Sequence, residues 1–131
     1  MHRDRPTVHI DYETFSDVNL LTRGSSIYSR RAVPILLAIK YEDQETEVFD
    51  YSESFNAGID DFGDFDPDFS PDCPDILLEA IRDNWWIVAH NAMFEYHITH
   101  NSPACTRWPK PAISRIICTQ WSRITHASCS R

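Results

Sequence analysis

Between Pro34 and Tyr41 the chain carries a strongly apolar run, Pro-Ile-Leu-Leu-Ala-Ile-Lys-Tyr, which is suited to a buried strand. The polar stretch Glu42-Asp43-Gln44-Glu45 then reads as a turn, and Thr46 to Tyr51 as an antiparallel return strand. Ahead of this hairpin, Thr7 to Glu13 alternates apolar and polar residues as a strand does. A polar break at Arg23-Gly24-Ser25 separates the two. After the hairpin, helix and strand alternate. Pro74 and Asp75 open a helix whose apolar stripe is Ile76, Leu77, Ala80 and Ile81. Trp85 to His90 predicts a strand, and Met93 to Asn101 a helix with Asn91 as its N-cap. Ile113 to Cys118 predicts a last strand, and Thr119 to Ala127 the beginning of another helix. Strands in a hairpin followed by alternating helix and strand predict an α/β fold, a mixed sheet with helices packed on it.

With 131 residues and 42% hydrophobic content, the chain is one domain with room for a single core. From 52 to 74 it is rich in Asp, Pro, Phe, Ser and Gly, which predicts a long acidic loop. Its aspartates fit no EF-hand spacing, so a solvated loop is the expectation rather than a calcium site. No apolar run approaches a membrane span, and the first residues lack a signal peptide's apolar stretch, so a cytoplasmic location is expected. Cys73, Cys105, Cys118 and Cys129 show no CxxC pairing and are read as free thiols.

Net charge is −8, unevenly spread. Residues 1–95 hold 7 Lys and Arg against 20 Asp and Glu, whereas residues 96–131 hold 5 basic residues and no acid. An acidic total argues against gripping long duplex DNA by charge alone. It does not exclude an enzyme that handles a nucleic-acid end through metal ions, because the metals reverse the local field. The basic residues after position 95 are read as a solvated surface.

Two short segments carry the chemistry. In Thr7 to Glu13, Val8, Ile10 and Tyr12 share one face of the strand; His9, Asp11 and Glu13 share the other. Two carboxylates side by side repel unless a cation lies between them. In His90-Asn91-Ala92-Met93-Phe94-Glu95, the helix brings Glu95 in one turn after Asn91, directly after an apolar strand. Three acids arriving from separate elements suit a hard divalent ion such as Mg2+, which binds oxygen. His97 and His100 with Cys105 and Cys118 can also be drawn as a zinc site, but their spacing matches no ligand pattern.

Ile10-Asp11-Tyr12-Glu13-Thr14 and Ala89-His90-Asn91-Ala92-Met93-Phe94-Glu95 resemble the first and second motifs of a 3′–5′ exonuclease domain of the DEDD class. Within that class the chain is most similar to the proofreading domain of phage and prophage family A DNA polymerases. The segment from Gly24 through Tyr28 and Pro34 to Tyr41, and Cys118-Thr119, look like the same lineage. The similarity runs from about Val8 to about Arg123.

This resemblance implies a ribonuclease-H-like fold and Mg2+ or Mn2+ as cofactor, with two ions about 4 Å apart clamping the scissile phosphate. It implies that Asp11 bridges both ions, that Glu13 completes one site and orients the water, and that Glu95 reaches the second ion. Thr14 and Asn91 are implied contacts of the terminal nucleotide, and Phe15 or Phe94 a surface for a base. The implied substrate is the 3′ end of single-stranded DNA, and a polymerase domain or C-terminal continuation is the implied partner. Two departures stand out. The second motif usually ends in Asp and here ends in Glu95, one methylene longer. The third motif, a Tyr or His followed by a final Asp, has no counterpart, since no acid follows Glu95. The expectation is therefore a partial exonuclease domain, C-terminally incomplete. The alternatives are an inactive remnant with weak nucleic-acid binding and a small His/Cys metal module.

Overall fold

A computed structural model describes residues 5–16, 19–52 and 71–119 of the chain. The central strand β1 (Thr7–Phe15) pairs antiparallel with β2 (Val33–Tyr41), which pairs antiparallel with β3 (Glu47–Asp50). On its other side β1 runs parallel to β4 (Trp86–Ala89), which runs parallel to β5 (Ile116–Cys118). Sheet order is β3-β2-β1-β4-β5. Among the described residues three helices accompany it: α1 (Leu20–Ser29), α2 (Asp75–Arg82) and α3 (Ala92–Asn101). A mixed five-stranded sheet with a leading antiparallel meander, a parallel second half and flanking helices is the ribonuclease-H-like arrangement.

Alternation in β1 decides which side becomes core. Val8, Ile10 and Tyr12 are buried while His9, Asp11 and Glu13 are exposed. Opposite them on β2, Leu37 and Ile39 join the same core, with Leu77 from α2, Ile87 from β4 and Ile98 from α3. Each such side chain stabilises the fold by about 1.5–3 kcal/mol through burial. The hydroxyl of Tyr12 does not go unpaired in that core: it lies 2.8 Å from Oγ1 of Thr99, which itself donates to the Glu95 carbonyl at 2.9 Å. Helix α3 is held to α1 by the Tyr28–Phe94 ring contact (centroids 5.8 Å apart) and by Asn101 Nδ2 donating to Ser29 Oγ at 3.0 Å.

The polar break expected near Gly24 is a kink inside α1. Gly24 adopts φ 81 and ψ 168, a conformation open to glycine and hostile to side chains. A Cβ there would meet nothing within 4 Å, so only the backbone resists substitution. Gly24→Ala is accordingly expected to lower stability by about 1–3 kcal/mol in urea titrations. An unchanged midpoint would show that the kink is not needed by the fold.

A second irregularity sits beside the acidic strand. The β1–β2 register runs Glu13↔Leu36 and then Thr14↔Pro34, leaving Ile35 as an extra residue. Pro34 has no N–H to give to the ladder, which is the physical reason pairing slips there. Such bulges re-aim the side chains next to them.

The expected last strand is shorter than its sequence run: Ile113–Arg115 forms a 3-10 turn, and only Ile116–Cys118 pairs. Most of the acidic segment 52–74 and the helix expected after Thr119 lie outside the described residues. No described helix is long and apolar enough to cross a membrane.

Candidate functional site

Strand β4 accompanies β1 only from Thr7 to His9 and then turns into α3. Beyond that point the β1 backbone on this side has lost its partner strand. Glu95 takes the vacated place: its Oε2 accepts the Tyr12 N–H at 3.2 Å. The chain reaches this position through the N-terminus of α3, where Asn91 Oδ1 accepts the Phe94 N–H at 3.4 Å and sets the helix entry. A carboxylate from a helix thereby arrives beside Asp11, on a neighbouring element of the sheet.

Electrostatics record the encounter. Glu95 is only 5% exposed, and burial pushes its carboxyl up to about 8. That position is the net result, in which the Tyr12 N–H pulls the carboxyl down and the Asp11 charge adds a smaller upward push. An ionised Glu95 beside Asp11 is thus electrostatically unfavourable without a counter-charge.

Asp11 and Glu95 are therefore brought together. Glu13 stands two residues along the same exposed strand face. Among the described residues, no group of three or more His, Cys, Asp and Glu side chains converges as a metal site. The donor set is all carboxylate, the chemistry a hard divalent ion takes, and its assembled nucleus is the Asp11–Glu95 pair.

The accessory residues divide. Thr14 Oγ1 lies 2.9 Å from the Tyr28 hydroxyl, so Thr14 ties the end of β1 to α1. Phe15 is 44% exposed at the strand end and presents a ring to solvent. Phe94 is half-buried and engaged with Tyr28, so its ring serves the α1–α3 contact. Asn91 is half-buried at the mouth of the groove between those helices. On the open face of the sheet, His9, Asp11, Ala38, Lys40 and Thr46 line a shallow hollow of about 320 Å³. Sequence reasoning passed over Lys40, although it is the one charged residue in an apolar run, and it passed over the Tyr12 amide, which no side-chain pattern can reveal.

One sequence expectation is corrected, and another gains detail. Arg107 and Lys110 are exposed as expected, yet Lys110 Nζ donates to the carbonyls of Thr99 (2.9 Å) and Cys105 (2.6 Å), and the half-buried Arg115 guanidinium lies 4.8 Å from the Trp86 ring centre. Both cations find carbonyls or a π-face that the linear sequence does not display. Cys73 and Cys105 are free as expected, but Cys118 is disulfide-bonded. Pairing of cysteines without a CxxC spacing depends on chain folding rather than on sequence distance. A thiolate committed in this way cannot ligate zinc, and His97, His100, Cys105 and Cys118 form no metal cluster among the described residues.

No protein-family model matches the chain, and no curated protein is significantly similar to it.

Proposed function

We propose that this domain is a metal-dependent nuclease of the 3′–5′ exonuclease type, acting on the 3′ end of single-stranded DNA. The observation that carries the reading is the meeting of Asp11 with Glu95 at the end of the parallel strands of a ribonuclease-H-like sheet. The resemblance of the two acidic segments to DEDD-class motifs supports it independently. Asp11, Glu13 and Glu95 would hold Mg2+ or Mn2+, which when bound polarises the scissile phosphate and activates water. The chain's own contribution is positional: the Tyr12 N–H holds Glu95, Asn91 sets the helix that carries it, and Phe15 offers an exposed ring to a base. A polymerase as physical partner belongs to the same reading.

Asp11, Glu13 and Glu95 match three of the four acids of that class, so hydrolysis by these three alone is expected to be slow. Calorimetry is expected to detect weak Mn2+ binding that Asp11→Ala abolishes. Release of mononucleotides from a 3′ end in Mn2+ should exceed that of Asp11→Asn by about a hundredfold or more. Equal Mn2+ binding by wild type and Asp11→Ala would remove the basis of the reading. A second reading, a nuclease fold that binds but does not cut, is favoured by the lack of a converged three-ligand set among the described residues. Mn2+ binding without any Asp11-dependent hydrolysis would select it.

A further inference from the structure

We propose that Cys73 and Cys105 are a redox couple, two free thiols that oxidise to an intrachain disulfide and covalently close the segment carrying α2, β4 and α3. The inference rests on neither the nuclease reading nor a bound metal.

The path of the chain supplies the first argument. Cys105 ends the 3-10 turn Pro103–Cys105, and the Trp108 N–H donates to the Cys105 carbonyl at 3.0 Å. From this corner the Trp108 indole Nε1 donates to the Pro71 carbonyl at 2.8 Å, two residues before Cys73. Tyr51, just after β3, pins the same stretch. Its hydroxyl donates to the Asp72 carbonyl at 3.3 Å, and its ring centre lies 6.3 Å from that of Trp108. Two stretches distant in sequence are thereby held side by side, with one cysteine on each.

The two sulfurs also share one neighbourhood. Cys105 belongs to the core, and Cys73 packs against it. The Cys105 charge acts on the Cys73 thiol second only to burial, and both sulfurs act on the Tyr12 and Tyr51 hydroxyls. Lys110 serves both: its Nζ donates to the Cys105 carbonyl at 2.6 Å, and its charge draws each thiol down. Cys73 Sγ is held by a weak 3.7 Å hydrogen bond to the Pro74 carbonyl, which rotation about χ1 releases. That rotation is the movement needed to form the bond.

Unequal exposure sets the order of events. Cys105 is fully buried, whereas Cys73 is half-buried and lines a hollow of about 540 Å³ with Tyr51, Asp72 and Asp75. A reagent in solution therefore meets Cys73 first. With a small-molecule disulfide as oxidant, the Cys73 thiolate attacks one sulfur, forms a mixed disulfide and expels one thiolate. The Cys105 thiolate then attacks the Cys73 sulfur and expels the second thiolate. Each cysteine's proton ends on a departing thiolate; the protein loses two electrons and the reagent gains two. Each thiol titrates at about 12, with burial the main cause, so both steps are slow at neutral pH and faster in alkali. The ring so closed contains Asn91 and Glu95, and it restricts the unfolded chain more than the folded one.

The test incubates the full chain with oxidised glutathione at about pH 8.5, blocks remaining thiols with N-ethylmaleimide, and maps tryptic peptides without reduction. Cleavage after Lys40, Arg82 and Arg107 puts Cys73 on peptide 41–82 and Cys105 on peptide 83–107. Wild type should yield these two peptides linked, and its melting temperature should rise by about 5–10 °C on oxidation. Cys105→Ala should stop at the mixed disulfide on Cys73. Cys73→Ser should take up glutathione at Cys105 at least about tenfold more slowly than Cys105→Ala does at Cys73. Cys73 is not a core position, so this second variant keeps the test decisive if Cys105→Ala fails to fold.

Wild type that takes up no glutathione, or holds it on Cys73 without ever linking the two peptides, overturns the proposal. So do links formed only between separate chains, and pairing of Cys73 or Cys105 with Cys118 or Cys129. Cys105 reacting as fast as Cys73 would reject the order of attack on which the couple depends. A link that lowers the melting temperature would show that the fold must be distorted to make it, and would overturn the proposal as well.

Discussion

In EDTA the protein is expected to lose stability steadily as pH rises from about 4.5 to about 8, and Glu95→Gln is expected to remove most of that slope. The folded carboxyl titrates near 8 against an ordinary 4.5, so over this window the native state holds a proton that the unfolded chain has released. Stability must then fall with pH, be fullest below 4.5, and level off above 8. At about 1.4 kcal/mol per pH unit the full effect approaches about 5 kcal/mol, and local relaxation brings it to roughly 3–4 kcal/mol. Glutamine keeps an oxygen for the Tyr12 N–H and carries no charge, so the variant should be the more stable protein at pH 9. Asp11→Asn should act in the same direction more weakly, since Asp11 is the smaller cause behind burial. Urea unfolding at several pH values measures both. Parallel pH profiles for wild type and Glu95→Gln would mean that Glu95 is not held as a buried carboxyl at all.

The second large effect separates two adjacent leucines. Leu37 is fully buried opposite Tyr12, so Leu37→Ala is expected to lower stability by about 3–4 kcal/mol. Leu36, on the other face of the same strand and opposite Glu13, is only half-buried. Leu36→Ala should cost about 1–2 kcal/mol, the transfer of its side chain with little cavity left behind. Denaturant midpoints of the two variants settle it; equal losses would place both leucines in one core and contradict the observed facing.

That pair also marks the boundary between local and tertiary information. The run from Pro34 to Tyr41 is legible as a strand because it is apolar throughout, but for the same reason it carries no alternation to say which residues face inward. In β1 the alternation is present, and the facing of Val8, Ile10 and Tyr12 against Asp11 and Glu13 could be read directly. The helix from Asp75 and the Asn91 cap were equally legible, since capping and helical periodicity are local interactions. The bulge between Glu13 and Pro34 was not, because the register depends on a partner strand about twenty residues further along the chain.

The candidate site divides along the same line. Sequence alone determined that three acids stand on a strand face and on a helix entered through Asn91, and that the elements build an α/β sheet. Tertiary structure alone decided that Glu95 meets Asp11 at the end of β4, held by the Tyr12 amide, with Glu13 further along the strand. The reason is physical: alternation and capping are set within a few residues, whereas the meeting of Asp11 with Glu95 depends on where a parallel strand more than seventy residues away stops pairing.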